Sequence, residues 1–64
     1  MHEYSPMQHV AIIRANTLVP AQVVQCQYYD SIPCYKVREI LTGKTEIYFG
    51  KELSNLMMLN NQAE

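Results

Sequence analysis

The stretch AQVVQCQYYDSIPCYKV, residues 21–37, decides the fold. Apolar and polar residues alternate on both sides of Asp30-Ser31, a pair typical of turns, and this pattern predicts two antiparallel strands. Pairing Cys26 with Tyr35 leaves a two-residue loop, which is a favoured length for a β-hairpin. Cys34 should then face outward and be accessible. We expect the inward-facing side chains to be Val24, Cys26, Tyr28, Tyr35 and Val37.

A second hairpin continues from the same stretch. Placing Val37 opposite Ile47 leaves Leu41-Thr42-Gly43 as a three-residue loop, with Gly43 where such loops need a left-handed residue. This register turns Val37 and Ile47 toward the core. It also puts Arg38 opposite Glu46, an opposite-charge pair of the kind that supports a sheet.

Short β-branched runs extend the predicted sheet. Residues 9–15 predict an N-terminal strand, and residues 16–20 predict a loop because Pro20 cannot donate to a sheet ladder. Residues 51–59 predict a short helical turn or a fifth strand, from the spacing of their apolar residues. The other strands are expected at residues 21–29, 32–40 and 44–49.

These elements predict one all-β domain of four to five antiparallel strands with a short C-terminal helical turn. We place the domain at residues 9–59, after a flexible N-terminal arm at 1–8 and before a tail at 60–64.

Composition limits the classes of function. The chain has 64 residues, of which 48% are hydrophobic and 17% charged, which excludes a disordered charged tail. Its formal net charge of -1 gives no long-range attraction to nucleic acid or anionic lipid. With no signal peptide or membrane span evident, we expect a cytoplasmic protein with two free thiols and no membrane partner.

The predicted outer sheet surface favours a binding role without catalytic residues. It is rich in Tyr and Gln and poor in charges that would have to lose water in an interface. The partner is another protein or a second copy of the chain, which gains buried area for so small a domain. The apolar run Leu56–Leu59 points to self-association as well. The candidate binding residues are Gln25, Gln27, Tyr29, Lys36, Arg38 and Tyr48.

Nucleic-acid binding is an alternative, because basic and aromatic side chains share the predicted surface. Acidic residues are interleaved with the basic ones along the sequence, so this alternative is not favoured. A metal site is not expected, since Cys26 and Cys34 lack the close spacing of a zinc knuckle. No cofactor is expected.

Two family resemblances sharpen these expectations. The segment from Ala11 to Leu53 resembles small SH3-like barrels in strand order, loop placement and the exit sequence YFGKEL at 48–53. The run Thr45-Glu46-Ile47-Tyr48 resembles the Val-Gln-Ile-Tyr strand of plasmid-borne type II dihydrofolate reductases, which are SH3-like tetramers.

The second resemblance implies a central pore that binds folate and NADPH. Glu46, Ile47 and Tyr48 would line it, and Arg14 is nearest to the position of the family's lysine. Glu46 replaces the family's pore glutamine, and a ring of carboxylates would repel two anionic ligands. We therefore expect no reductase activity and treat the pore enzyme as the alternative to a binding module.

Overall fold

The computed structural model describes residues 2–55 and forms one five-stranded antiparallel sheet. Its spatial order is β4-β3-β2-β1-β5, and one 3₁₀ turn, Gly50–Glu52, precedes β5. The predicted all-β class with four to five strands is confirmed. No α-helix occurs in the described residues, and none there could cross a membrane. The strands are β1 His9–Arg14, β2 Thr17–Tyr29, β3 Ile32–Glu39, β4 Thr45–Phe49 and β5 Leu53–Asn55.

The β2–β3 hairpin has the predicted pairing and turn. Cys26 lies opposite Tyr35, and the loop is Asp30-Ser31. Both loop residues have positive φ, 52° and 68°, as a two-residue turn of type I′ requires. The right-handed twist of the flanking strands favours this turn, so local sequence is enough to set the hairpin register.

Because of a β-bulge at Val24, the inward-facing residues of β2 differ from the predicted ones. The ladder skips this residue, so that Val23 pairs with Val37 and Gln25 pairs with Lys36. The extra residue reverses the alternation of side chains along the strand. Val23 is therefore fully buried and Val24 is exposed, which is the reverse of the expectation.

The cysteines also differ from the prediction. Cys34 is buried and Cys26 is half-buried, although both are free thiols as expected. Cys26 packs against the core and donates from Sγ to the Tyr4 carbonyl at 3.3 Å. Cys34 faces outward as predicted but is only 2% exposed, so the predicted accessibility is wrong.

The β3–β4 register is one residue away from the predicted one. Val37 lies opposite Glu46, and Lys36 lies opposite Ile47. Such a slip moves every β4 side chain to the other face, so Ile47 is exposed and Tyr48 turns inward. The predicted Arg38–Glu46 pair is wrong for the same reason. Gly43 does have the expected left-handed φ, at 76°.

Within the predicted loop at 16–20, residues 17–20 belong instead to β2 and only residue 16 lies in a turn. Arg14 pairs with Thr17 across a two-residue turn, and Pro20 lies opposite Ala11. The Pro20 carbonyl accepts from the Ile40 N–H at 3.1 Å, on the side away from β1. Backbone groups of one residue point to one side in an antiparallel ladder, so the missing Pro20 donor costs the β1–β2 pairing nothing.

The core lies on one face of the curled sheet, which we call the inner face. Segment 2–8 covers one end of it, where the Tyr35 hydroxyl accepts from the N–H groups of Glu3 at 2.8 Å and Tyr4 at 3.3 Å. The opposite end carries polar side chains, among them Arg14. The buried core side chains are Val10, Ile12, Ala21, Val23, Tyr35, Val37 and Leu53.

Candidate functional site

The face of β2, β3 and β4 opposite the core carries the candidate site, and we call it the outer face. Strand alternation and the observed registers decide its membership. The unbroken register from the Asp30-Ser31 turn to Gln25 places the last outward residues of β2 beside those of β3. The outer face consists of Gln25, Gln27, Tyr29, Ile32, Cys34, Lys36, Arg38, Thr45, Ile47 and Phe49.

An apolar depression occupies the centre of the outer face. Cys34, only 2% exposed, lies at its base, and the rings of Tyr29 and Phe49 meet edge to face with centroids 6.3 Å apart. Its volume is about 430 Å³, with Ile47 on the side toward Lys36. On the other side of Phe49 a second depression continues along Ile32 and the 3₁₀ turn. Exposed apolar side chains therefore line an open depression on this face.

The outward-facing charged side chains on the strands near this depression are all positive. Lys36 and Arg38 follow Cys34 along the outward side of β3. Neither forms an ion pair with another residue of the described segment 2–55. The acidic residues of β3 and β4, Glu39 and Glu46, point to the inner face, where cations meet them.

Five of the six predicted binding residues lie together on the outer face. They are Gln25, Gln27, Tyr29, Lys36 and Arg38. Tyr48, the sixth, lies on the inner face because of the β4 register. The sequence interpretation missed Ile32, Cys34 and Phe49. Ile32 and Cys34 lie an even number of residues from Lys36 on β3, and Phe49 lies two residues from Ile47 on β4. This spacing places them on the same face as Lys36 and Ile47.

The inner face carries a polar network at the end of β1. Arg14 donates from Nη2 to Glu39 Oε2 at 2.8 Å and to the Tyr48 hydroxyl at 3.1 Å. The Tyr48 hydroxyl donates in turn to Glu46 Oε1 at 2.9 Å, and Lys44 Nζ lies 3.3 Å from Glu46 Oε2. These contacts link β1 to β3 and β4 across the open side of the sheet. We call these five residues the Arg14 network.

Proton affinities in the Arg14 network follow from these contacts. The hydrogen bond from Arg14 holds the pKa of Glu39 below its ordinary value of 4.5. Hydrogen bonding by Tyr48 and Lys44 likewise lowers the pKa of Glu46. Burial raises the pKa of Tyr48, and the Glu46 carboxylate adds to that shift. At neutral pH the network therefore holds both carboxylates charged and the phenol neutral.

Three of the four residues of the alternative pore site meet in this network, namely Arg14, Glu46 and Tyr48. Ile47, the fourth, lies on the outer face. The Arg14 guanidinium already bonds Glu39 and Tyr48, so an anionic ligand would have to compete with these contacts. The geometry of the Arg14 network suits the cross-linking of β1 to β3 and β4. Segment 2–55 holds no cluster of three His, Cys, Asp or Glu residues suited to a metal ion.

Comparison of the chain with protein-family models, with curated proteins and with solved structures finds no match. A function for the chain therefore has to be inferred from its fold and from the two faces of its sheet.

Proposed function

We propose that the chain is a non-catalytic binding module that recognises a protein partner through the outer face. The observation that carries this proposal is the apolar depression around Cys34, with partly exposed Tyr29 and Ile47 at its rim. Aromatic and branched side chains around a concave site are typical anchors of protein interfaces. The glutamines beside them can exchange hydrogen bonds with a peptide backbone at little cost in desolvation.

An SH3-like small barrel is the fold that we assign to this module. The strand order and the 3₁₀ turn immediately before β5 support the assignment, since β5 returns to pair with β1. We also place the protein in a reducing compartment. Cys26 and Cys34 project to opposite faces of the hairpin as free thiols, an arrangement that suits such a compartment.

A peptide library tests the proposal directly. Random peptides displayed on phage are selected against the parent chain, and the selected peptides are measured against Ile47→Ser and Ile13→Ser. The two isoleucines are matched, being 48% and 46% exposed, but Ile13 lies on β1 outside the outer face. We expect Ile47→Ser to weaken binding at least about tenfold and Ile13→Ser to leave it unchanged. Failure to select any binder, or equal loss with both variants, would contradict the proposal.

Self-association is the second part of the proposal, and we assign it to the β4 edge. β4 pairs only with β3 among the described strands, and the Glu39 N–H donates to the Lys44 carbonyl at 2.8 Å. Bonded pairs alternate in antiparallel ladders, so the backbone groups of Thr45 and Ile47 point away from β3. An edge of this kind can pair with another strand.

Charge supports the edge over the outer face as the contact between copies. If β4 pairs antiparallel with itself about Ile47, Glu46 of one copy lies opposite Tyr48 of the other. Stacking two outer faces would instead bring Lys36 and Arg38 of both copies together. We expect the mass in solution to rise with concentration, and Thr45→Pro to return it to the monomer value because this N–H serves no bond to β3. Equal association of parent and Thr45→Pro would refute the edge contact.

A further inference from the structure

The outer face combines its apolar depression with a spatial separation of charge that the linear sequence hides. Along the sequence, the four basic residues between positions 36 and 51 are interleaved with Glu39, Glu46 and Glu52. In the fold, Glu39 bonds Arg14, Glu46 bonds Tyr48 and Lys44, and Glu52 accepts from the Phe49 N–H at 2.8 Å. Glu39 and Glu46 are thus occupied on the inner face, and Glu52 is occupied at the backbone of β4. Within residues 2–55, the two cations on β3 remain an uncompensated positive pair.

We infer that the outer face binds an extended acidic peptide, with one apolar side chain in the depression over Cys34 and carboxylates facing Lys36 and Arg38. This inference rests on the proposed function and specifies its partner. The cations lie two and four residues beyond Cys34 on the same side of β3. Residues on one side of a strand are spaced about 7 Å apart, and an extended ligand has the same spacing. The ligand pattern is therefore apolar, any, acidic, any, acidic.

The observations favour a peptide over a single-stranded nucleic acid. Nucleic-acid platforms stack successive bases on ring faces, whereas Tyr29 and Phe49 meet at 66° and offer no pair of parallel rings. Branched Ile47, which lines the depression, suits an aliphatic or aromatic side chain of the ligand. The formal net charge of -1 also provides no long-range attraction to a polyanion, whereas two local cations suffice for two carboxylates.

The probe is a nine-residue peptide that alternates Glu and Thr around a central Leu. Its sequence is the same in both directions, so the outcome does not depend on its orientation along β3. A matched peptide replaces every Glu by Gln and keeps length and strand propensity. Affinity for the full chain is measured by fluorescence anisotropy at low and at physiological salt.

We expect the acidic peptide to bind at least about tenfold more tightly than its Gln counterpart at low salt, with the difference falling as salt screens the charges. Lys36→Gln and Arg38→Gln should each weaken binding several-fold. Lys44→Gln is the matched control, because it removes the same charge from the inner face and should leave binding unchanged. Circular dichroism checks that each variant is folded.

Three outcomes would overturn the inference. If the two peptides bind equally and Ile47→Ser abolishes the binding of both, the proposed function stands. The specificity for acidic peptides would then be wrong. Equal weakening by Lys44→Gln and Lys36→Gln would show an effect of net charge alone. Tighter binding of a twelve-residue oligothymidylate than of the acidic peptide would assign the face to nucleic acid. If the peptide library also yields no binder, the proposed function fails together with the inference.

Discussion

The charged side chains on the two faces of β3 differ in their ion-pair partners. On the inner face, Glu39 is buried and accepts a hydrogen bond from Arg14, so both charges are satisfied within the chain. On the outer face, Lys36 and Arg38 form no ion pair within segment 2–55. The charges of the inner face therefore cross-link strands of this fold, whereas the outward cations of β3 have no counter-charge among the described residues.

The largest expected difference between the faces is in thiol reactivity. Cys34 is 2% exposed, so we expect it to react only when the sheet opens locally, whereas Cys26 is half-buried. We expect Cys26 to react about a hundredfold faster with a disulfide reagent. Single-cysteine variants, Cys34→Ser and Cys26→Ser, measure the two rates separately. Faster reaction of Cys34 would mean that this thiol is not shielded on the outer face.

Core substitution on the inner face should have the next largest effect. Val37→Ala removes methyl groups from a fully buried site and should lower the free energy of unfolding by about 1–3 kcal/mol. Ile47→Ala on the outer face should lower it by less than about 0.5 kcal/mol because Ile47 is exposed. Thermal and urea unfolding measure both. If Ile47→Ala lowers the free energy of unfolding more than Val37→Ala does, the register predicted from the sequence, in which Ile47 lies opposite Val37, would be correct.

These valine and isoleucine positions show why only part of the fold could be predicted. The β2–β3 register follows from a two-residue turn and adjacent alternation, which are local features. The β4 register depends on a longer loop and on which of Ile47 and Tyr48 faces inward. Periodicity permits both, and the Arg14 network favours Tyr48 because its hydroxyl bonds Arg14 and Glu46.

The candidate site was predictable to a similar extent. Alternation on β2 and β3 placed Gln25, Gln27, Tyr29, Lys36 and Arg38 on one face, despite the bulge at Val24. The separation of charge was not predictable, because it depends on Arg14, which reaches Glu39 from a different strand. Sequence spacing carries no information about such a contact.

The Arg14 network should make stability depend on pH. The pKa of Glu39 is lowered in the fold, so its contribution to stability is fully present above the unfolded value near 4.5 and is lost as pH falls through the folded value. We expect the melting temperature of the parent to be higher than that of Glu39→Gln at pH 7. The difference between the two melting temperatures should shrink below pH 4.5. Glu46→Gln should show a smaller difference of the same sign, because Glu46 is exposed. A difference that grows as pH falls would contradict the network.

The smallest expected effect on stability belongs to the outer-face cations. Lys36→Gln and Arg38→Gln break no ion pair of the described residues, so each should change the free energy of unfolding by less than about 0.5 kcal/mol. Their stability profiles against pH should keep the parent's shape, since the Glu39 and Glu46 contacts are intact. Arg14→Gln is the opposing control: it removes the hydrogen bond that lowers the pKa of Glu39, so it should lower the melting temperature and flatten the profile. Thermal unfolding from pH 3 to pH 8 compares the three variants with the parent. If Lys36→Gln and Arg38→Gln both flattened the profile as Arg14→Gln does, both cations would stabilise carboxylates of their own chain. The outer face would then hold no charge for a partner, and the difference between the two faces of β3 would disappear.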